Sequence, residues 1–543
     1  MKKALKVCSL ILSLVMLVGV FSGCGNEKKQ VSTGDTYTYW VPLDGSIAQS
    51  MTSLNEHYMF KQMEKATGTK VEFVHPAQGS TGSEAFQILL ASGDYPDMIE
   101  HTWSEYPGGG DQAIKDGVII ALNDYMKEYA PNYYNYMEGE AAKENNYQFK
   151  AATISNEGNY YGFKNLNVGN YRTYNGLYVR KDLLDKWGLD IPTTLDEWQN
   201  VLKTAKENGI KYPLTGSKWL VGAYGYDFFN TPYKVGNEFY LDGSKVKFGP
   251  FQKEYKDFVA KMADWMKKGY IDIDYVTNDS TIIRGYICNS TSIAAHGFVG
   301  GDLGYIIPAM QERDSQFKLA ACPIPSMKKG EAPYFQGIQD AAIDPTVVIS
   351  AQCGAENEAR YKEAIQWCDY LFSDEGMVLK CFGVEGDTFT IEKDEDGVEH
   401  YTYTDKITNW KENIKGATSI DAALYHYTIP ANHPGFNQHP DYFRGYYEFP
   451  EQKDAIEVWN KYVDEAYKHV LPTLSFSAEE AEQKATIESN AKDNLIAAIS
   501  NIILGKASID TYDDAIKAAK KAGYDKLIKI YQAAYDRYIK VLE

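Results

Sequence analysis

The alternation of β-type and helical runs after residue 35 constrains the fold of this chain more than any other feature. Short runs rich in β-branched and aromatic residues cover 36–41, 70–75 and 97–101, and helical runs cover 51–67 and 82–92. A strand, a helix and a second strand in succession form a parallel unit whose helix covers one face of the sheet. The pattern therefore predicts an α/β fold with a mainly parallel sheet covered by helices.

The later part of the chain extends this pattern and then becomes almost purely helical. In the helix predicted at 194–209, Thr194 and Glu197 have the spacing of a capping box and Gly209 is a stop signal. The other predicted elements are a helix at 181–188, strands at 212–214, 292–298 and 318–323, a helix at 357–372 and a β-hairpin at 389–403. Helical runs at 478–505, 511–523 and 526–543 predict a helical cap or clamp on the α/β body.

Length, charge and cysteine content narrow the architecture and the partners. A chain of 543 residues exceeds what one core usually holds, so two or more lobes are expected. A net charge of −19 disfavours nucleic acid or an anionic membrane face as a partner, because both repel acidic surfaces. The 7 cysteines include no Cys-X-X-Cys pair, which argues against a zinc site or a disulfide framework.

The first 25 residues have the pattern of an export signal. Three lysines precede an apolar run at 9–20 that is too short for a permanent membrane-spanning helix. Residues 21–24 (FSGC) then resemble the lipobox of bacterial lipoproteins. This predicts a signal peptide at 1–23, lipid attachment at Cys24, a flexible tether at 24–35 and a location on the outer face of the cell membrane. The alternative is an ordinary signal peptide with an incidental cysteine; Phe21 argues against it, because such cleavage sites usually have a small residue there.

Five further segments resemble extracellular solute-binding lipoproteins of ABC importers. Residues 84–97 (EAFQILLASGDYPD) are similar to one characteristic segment of these proteins, and residues 177–198 give a more specific match, from LYVRKDLL to PTTLDEW. Segments 265–272, 382–386 and 525–538 are similar to the large LipO-like members of the family from Gram-positive bacteria. Together these segments span nearly the whole mature chain, which is therefore identified as a member of family 1 of these binding proteins.

The resemblance implies a two-lobed α/β fold of the periplasmic-binding-protein type (class II) with a helical C-terminal region. Its lobes are expected to be discontinuous in sequence, one built from residues 36–175 and 340–421 and the other from 176–339 and 422–543. The lobes would close over a small-molecule ligand and present it to the permease subunits of an importer in the membrane. The resemblance implies no enzymatic activity.

Loops that follow strands hold the first candidate binding residues, because ligands of open α/β sheets lie beyond the carboxyl ends of the strands. Trp40 and Trp103 each follow such a strand, with Asp44 and Glu105 close behind. A tryptophan ring is an apolar platform for the C–H face of a sugar, and carboxylates accept hydrogen bonds from sugar hydroxyls. The alternative for either tryptophan is a place in the core, where tryptophans are often mostly buried.

A second group of candidates lies in the middle of the chain. A glycine-flanked aromatic loop contains Trp219, Tyr224 and Tyr226. A predicted strand ends with His296 and Phe298, and the expected return crossing between lobes contains Gln339 and Asp340. A lone histidine is more often structural than a ligand contact. The tryptophans at helical spacing are expected in the core instead: Trp187, Trp198, Trp265 and Trp367.

Motifs of common catalytic, cofactor and metal sites are missing from the sequence. It contains no GxxxxGK[ST] phosphate loop, no HExxH and no GxSxG. His426, His433 and His439 share a loop rich in Pro and Gly, but no fourth ligand stands at a metal spacing, so surface histidines are the preferred interpretation. Residues 392–397 loosely resemble a calcium loop, yet Tyr403 stands where a bidentate Glu is needed. No cofactor and no metal site is predicted.

The sequence therefore predicts a non-enzymatic binding protein for a carbohydrate, taken to be an oligosaccharide. The preference rests on the aromatic content of 14% and on the family resemblance. A basic peptide is the rival ligand, because tyrosine-rich clefts with acidic rims also suit peptides. A surface glycoside hydrolase is the alternative from another class, and it would need two carboxylates about 5–10 Å apart. A sensor that presents its ligand to a kinase is equally compatible.

Overall fold

The structure, a computed structural model, describes residues 30–543 except residues 46, 78–79, 168–172, 337–339, 395–396, 418–419, 432, 438, 440, 443–444, 446 and 448. The expected signal peptide, its cleavage site and Cys24 lie outside the described residues, as does Gln339. Within the described part of the chain, none of the helices combines the length and the apolar character needed to cross a membrane.

The described strands are β1 (Thr36–Trp40), β2 (Lys70–Val74), β3 (Met98–His101), β4 (Phe163–Leu166), β5 (Asn175–Arg180), β6 (Phe239–Asp242), β7 (Lys245–Phe248), β8 (Ala294–Phe298), β9 (Leu319–Ala321), β10 (Ala342–Ile349), β11 (Phe389–Lys393), β12 (Glu399–Tyr403) and β13 (Gly435–Phe436). Six of them form a large sheet in the order β13-β4-β10-β3-β1-β2, and three form a small sheet in the order β8-β5-β9. The remaining strands pair as the hairpins β6-β7 and β11-β12.

Strand direction confirms the parallel prediction for the first part of the large sheet only. β1 pairs in parallel with both β2 and β3, as a strand-helix-strand succession requires. β10 instead runs antiparallel to β3 and β4, because it enters the sheet after the small sheet is complete rather than through a helical crossover. The small sheet is antiparallel throughout. β13 pairs in parallel with β4, so Gly435–Phe436 belongs to the large sheet.

The described helices are α1 (Tyr58–Thr67), α2 (Gly82–Ser92), α3 (Gly109–Lys115), α4 (Asn123–Tyr129), α5 (Pro131–Glu138), α6 (Glu140–Glu144), α7 (Gln148–Thr153), α8 (Lys181–Trp187), α9 (Leu195–Glu207), α10 (Lys253–Lys267), α11 (Ser280–Cys288), α12 (Gly304–Gln311), α13 (Ala359–Tyr370), α14 (Asp374–Cys381), α15 (Asp405–Thr408), α16 (Trp410–Asn413), α17 (Ile420–Tyr427), α18 (Pro450–Asn460), α19 (Val463–Tyr467), α20 (Ala478–Ile503), α21 (Tyr512–Lys521) and α22 (Tyr524–Leu542).

Helix ends agree with the sequence prediction where a local cap sets them. Thr194 accepts a hydrogen bond from the Glu197 N–H, and the Glu197 carboxylate accepts one from the Thr194 N–H, so α9 begins with the predicted capping box. The helix predicted at 51–67 is shorter, because His57 adopts an extended backbone at ψ 130° and its ring lies 2.9 Å from the carbonyl oxygen of Tyr425. That tertiary contact leaves only Tyr58–Thr67 as an α-helix.

Four hydrophobic clusters form the cores among the described residues, and the two largest accompany one sheet each. One packs α1, α5 and α13 against the large sheet and includes Tyr39, Tyr133 and Trp367. The other packs α9, α10 and the C-terminal helices α20–α22 beside the small sheet and includes Trp198 and Trp265. The C-terminal helices are thus part of this second core rather than an independent bundle, in agreement with the predicted cap.

An aromatic cavity at the end of the small sheet

A cavity of about 550 Å³ lies at the end of the small sheet, where β8 ends and β5 begins. Half of its described lining residues are aromatic, and Ile283 adds an aliphatic side chain. The aromatic residues are Tyr174, Trp219, Tyr226, His296, Phe298, Tyr442 and Tyr447. Polar and charged walls come from Ser217, Ser280, Arg284 and Asp302, with Gly300 and Gly301 between them. Its volume falls within the range of roughly 300–1,000 Å³ typical of small-molecule sites.

Strand β8 delivers two of these side chains to the cavity. Residues alternate between the faces of a strand, so His296 and Phe298 share one face while Ala295 and Gly297 share the other. A Cβ atom on Gly297 would lie 2.7 Å from the Tyr178 ring and 2.9 Å from the Asp302 Cβ atom. Glycine is therefore needed on the rear face so that the end of β8 can pack this closely.

The turn after β8 is held by Asp302. One of its carboxylate oxygens accepts a hydrogen bond from the Phe298 N–H at 2.8 Å, and the other accepts one from the Arg284 Nε–H at 2.7 Å. Arg284 lies in the first turns of α11, a helix capped by the Asp279 side chain. Asp302 thus ties the strand end, the following turn and α11 into one wall.

A loop after Leu214 forms the opposite wall. Its base is fixed by buried Asp272, which accepts hydrogen bonds from Thr215 at 2.9 Å and from Asn278 at 2.6 Å. Leu214 itself forms single bridges to Ile271 and Ala294, where the sequence predicts a short strand. The loop then closes on itself, since the Tyr226 N–H donates to the Trp219 carbonyl oxygen at 2.8 Å.

The ring faces of the cavity differ in how open they are. Trp219 is 45% exposed and Phe298 is 38% exposed, large values for such apolar side chains. The ring of Tyr226 packs near both Trp219 and the buried His296, with centroid distances of 6.4 Å to Trp219 and 4.6 Å to His296. Trp219 and Phe298 therefore present open apolar surface, whereas His296, which also lines the cavity, is largely buried.

Burial favours the neutral forms of His296 and of two tyrosines in the aromatic wall. Removal from water lowers the pKa of His296 to about 3. Burial also raises the pKa of Tyr174 and Tyr226, so their hydroxyls remain protonated. The wall thus offers neutral ring faces and hydroxyls, and its formal charges reside on Arg284 and Asp302 among the described lining residues.

The cavity brings together four of the residues predicted from the sequence: Trp219, Tyr226, His296 and Phe298. The other described candidates lie elsewhere. Trp40 and Trp103 are 5% and 1% exposed and pack around Phe86, so neither offers a free ring face in this structure. Both tryptophans do lie at strand ends, as the sequence predicts, but both rings turn into the core.

The remaining candidates have protein partners outside the cavity or lie apart from it. Glu105 accepts a hydrogen bond from Ser83 at 3.1 Å and lies 2.9 Å from His101, and Asp44 is half-buried near the end of β1. The Tyr224 hydroxyl lies 2.9 Å from the hydroxyl of Tyr524 in the C-terminal core. Asp340 accepts a hydrogen bond from the Thr473 N–H at 3.3 Å.

The three histidines that share one loop in the sequence face different partners. His426 lies 3.0 Å from the Ser50 hydroxyl, His433 lies 2.7 Å from the Glu100 carboxylate, and the ring of His439 packs edge-on against Phe382. Among the described residues, no group of three His, Cys, Asp or Glu side chains is placed to hold a metal ion.

Sequence reasoning missed Arg284 and Asp302. The run Gly300-Gly301-Asp302 directly follows β8, so the strand-end rule could have extended to it. Arg284 carried no comparable signal, because it reaches the cavity only through the packing of α11 against β8.

Comparison with known proteins defines the class to which this fold and cavity belong. The model of the family described as "Bacterial extracellular solute-binding protein" matches residues 46–378, more than half of the chain. The chain belongs to this family, the family 1 solute-binding proteins of ABC importers, as the sequence motifs predict.

Particular relatives match over nearly the full length. The chain is 22% identical to Lipoprotein LipO of Bacillus subtilis, covering 96% of this chain and 97% of that protein. It is 23% identical to the fructooligosaccharide ABC transporter substrate-binding protein FusA of Streptococcus pneumoniae serotype 4, over 89% of this chain and 87% of that protein. A solved structure of an "HMO binding" solute-binding protein from Bifidobacterium longum infantis superposes with a TM-score of 0.72 at 18% identity, covering 93% of this chain and 99% of the other. This likeness confirms the predicted two-lobed binding-protein fold.

Proposed function

We propose that this protein captures an oligosaccharide in the aromatic cavity and delivers it to the permease of an ABC importer. The observation that carries the proposal is the pair of exposed ring faces on Trp219 and Phe298, set among tyrosine hydroxyls. Sugars present apolar C–H faces and a rim of hydroxyls, and such aromatic walls satisfy both. The names of FusA and of the "HMO binding" protein support the same ligand class.

The cavity favours binding over hydrolysis. A glycoside hydrolase uses two carboxylates, about 5–10 Å apart across the scissile bond. Among the described residues that line the cavity, Asp302 alone has a carboxylate, and both its oxygens accept hydrogen bonds from the protein. The proposed contacts are therefore the ring and hydroxyl groups of the wall, where the His296 ring packs against Tyr226.

The proposed location rests on the lipobox-like segment, and the proposed mode of action rests on the division into two sheets. After cleavage the chain would begin at Cys24, carry lipid there and remain on the outer face of the membrane. The tether expected at 24–35 would end before Val31, because the Val31 N–H already donates to the Gln366 side chain of the folded body. Each proposed lobe would contain one of the two sheets. Closure of the lobes would complete the cavity around the ligand, because a ligand stabilises the state in which it makes more contacts.

A thermal-shift screen of the soluble form beginning at Gly25 tests this proposal. A ligand that binds only the folded state raises the melting temperature, through about 2.7 kcal/mol of added stability at 100 times its Kd. We expect a shift with one class of oligosaccharide, with that sugar recovered uncleaved. A shift with peptides alone would overturn the sugar assignment, and recovery of shortened sugars would place the protein among hydrolases.

A further inference from the structure

Arg284 is the only cation among the described lining residues of the cavity, and two contacts fix its orientation. Its Nε–H donates to Asp302 at 2.7 Å, and its guanidinium carbon lies 5.1 Å from the centre of the Tyr305 ring. Asp302 is almost fully buried and is held in turn by the Phe298 N–H. The guanidinium is thus positioned before any ligand arrives.

The terminal nitrogens of Arg284 remain available. Among the described residues they have no hydrogen-bond partner, and the side chain is 25% exposed where it lines the cavity. Gly301 adds no side chain beside Nη2, which lies 3.8 Å from the place that a Cβ atom on this residue would occupy. A fixed guanidinium with two free terminal nitrogens matches the two oxygens of a carboxylate.

The described wall offers no competing cation or unoccupied carboxylate. Both carboxylate oxygens of Asp302 already accept hydrogen bonds, one from Arg284 and one from Phe298. The remaining polar lining groups are hydroxyls and the buried, neutral His296. A hydroxyl-only ligand would leave the charged donors of Arg284 with weaker acceptors than a carboxylate provides. A negatively charged acceptor would therefore form stronger hydrogen bonds with these donors than a neutral one would.

We propose that the ligand is an acidic oligosaccharide, and that Arg284 binds the carboxylate of a uronic acid unit while neighbouring sugar rings contact Trp219 and Phe298. This inference rests on the proposed function, because it names the sugar class within the same cavity. Asp302 and Tyr305 act as positioning residues that hold the guanidinium in place.

Calorimetric titration with paired ligands tests the inference. The probes are short oligomers of galacturonate, of mannuronate and guluronate, and of glucuronate-bearing xylan, each with its carboxyl-reduced counterpart, together with neutral fructo-, gluco- and galacto-oligosaccharides. We expect at least one acidic oligomer to bind at least tenfold more tightly than its reduced counterpart. In Arg284→Gln this preference should fall to near one, and Arg284→Lys should keep only part of it because lysine lacks the planar fork.

Arg313→Gln is the matched control, because Arg313 is an exposed arginine outside the cavity lining. It should retain the full preference and melt near the wild-type temperature. Arg284→Gln should melt lower, because it leaves the buried Asp302 carboxylate without its charged partner, so all ligands are titrated at a temperature at which this variant is fully folded. Binding of neutral sugars alone, or an equal loss for acidic and reduced ligands in Arg284→Gln, would overturn this inference while leaving sugar binding intact. Failure of every sugar to bind would overturn the proposed function together with the inference.

Discussion

Tryptophans of this chain serve opposite roles that depend on which way each ring faces. Trp219 presents its ring to the cavity, whereas Trp103 is enclosed by Phe86 and Tyr106. Both stand in loops beyond strands or strand-like segments, so their position in the sequence does not distinguish them. At the residue scale, exposure within a concave wall is what separates a proposed contact from a core side chain.

Replacing Trp219 with alanine should weaken oligosaccharide binding at least tenfold, because an exposed aromatic anchor in a cavity typically contributes more than about 1.4 kcal/mol. The melting temperature without ligand should stay near that of the wild type, since the ring is 45% exposed. Titration calorimetry measures the change. Trp410→Ala is the control, because Trp410 is half-buried on α16, outside the cavity lining. Equal affinities for the two variants would remove Trp219 from the site.

His296 should make stability depend on pH in the acidic range. Burial lowers its pKa to about 3 in the folded protein, against 6.5 for an exposed histidine, so the unfolded chain binds more protons between these values. The free energy of unfolding therefore falls as the pH decreases from 6.5 towards 3, by up to about 1.4 kcal/mol per pH unit from this one group.

His296→Gln should flatten that dependence when urea unfolding is compared at pH 7, 5.5 and 4.5. Buried His57, with its pKa lowered to about 4, contributes in the same direction, whereas the raised pKa of His433 opposes it, and both remain in the variant. The difference in slope between wild type and variant thus isolates His296. Parallel pH profiles would show that its ring is protonated in the folded state.

At the scale of elements, the sequence predicts best what is set by neighbours along the chain. The caps at Thr81, Thr194 and Ser477 each form with a glutamate three residues later, so α2, α9 and α20 begin where the sequence places them. The predicted hairpin at 389–403 is also confirmed, as β11 and β12. Elements that depend on distant partners are predicted less well, as the short α1 and the antiparallel β10 show.

Thr194→Ala should lower the free energy of unfolding by about 1 kcal/mol, because it removes the N-cap side chain of α9. Urea unfolding of the soluble form measures this loss. The ligand affinity of the folded variant should be unchanged, because α9 contributes no residue to the described cavity lining. Thr194→Ser, which keeps the hydroxyl, should retain most of the stability; an equal loss in both variants would contradict a capping role.

The candidate site shows the same division between local and distant information. Strand-end and loop patterns in the sequence are sufficient to select Trp219, Tyr226, His296 and Phe298. Arg284 and Asp302 are 18 positions apart and are brought together by the packing of α11 on β8. The periodicity of helices and strands in the sequence does not predict such a pair. The charge chemistry of the cavity is therefore visible only in the folded protein.

At the scale of the whole molecule, we propose that each of the two sheets, with its own core, forms one lobe. The pairing of β13 with β4 would then place Gly435–Phe436 in the first lobe, beyond the boundary expected near residue 421. If ligand closes these lobes, the radius of gyration of the soluble form in small-angle X-ray scattering should decrease on saturation with the bound sugar. Trp219→Ala at the same sugar concentration should show a smaller decrease. An unchanged radius in the saturated wild type would indicate binding without closure.

A crystal structure of the soluble form with the oligosaccharide found by thermal shift would show directly where the sugar binds. We predict sugar rings packed on Trp219 and Phe298, with hydroxyls within hydrogen-bond distance of the tyrosines in the same wall. A sugar bound elsewhere, with this cavity empty, would rule out the proposed site.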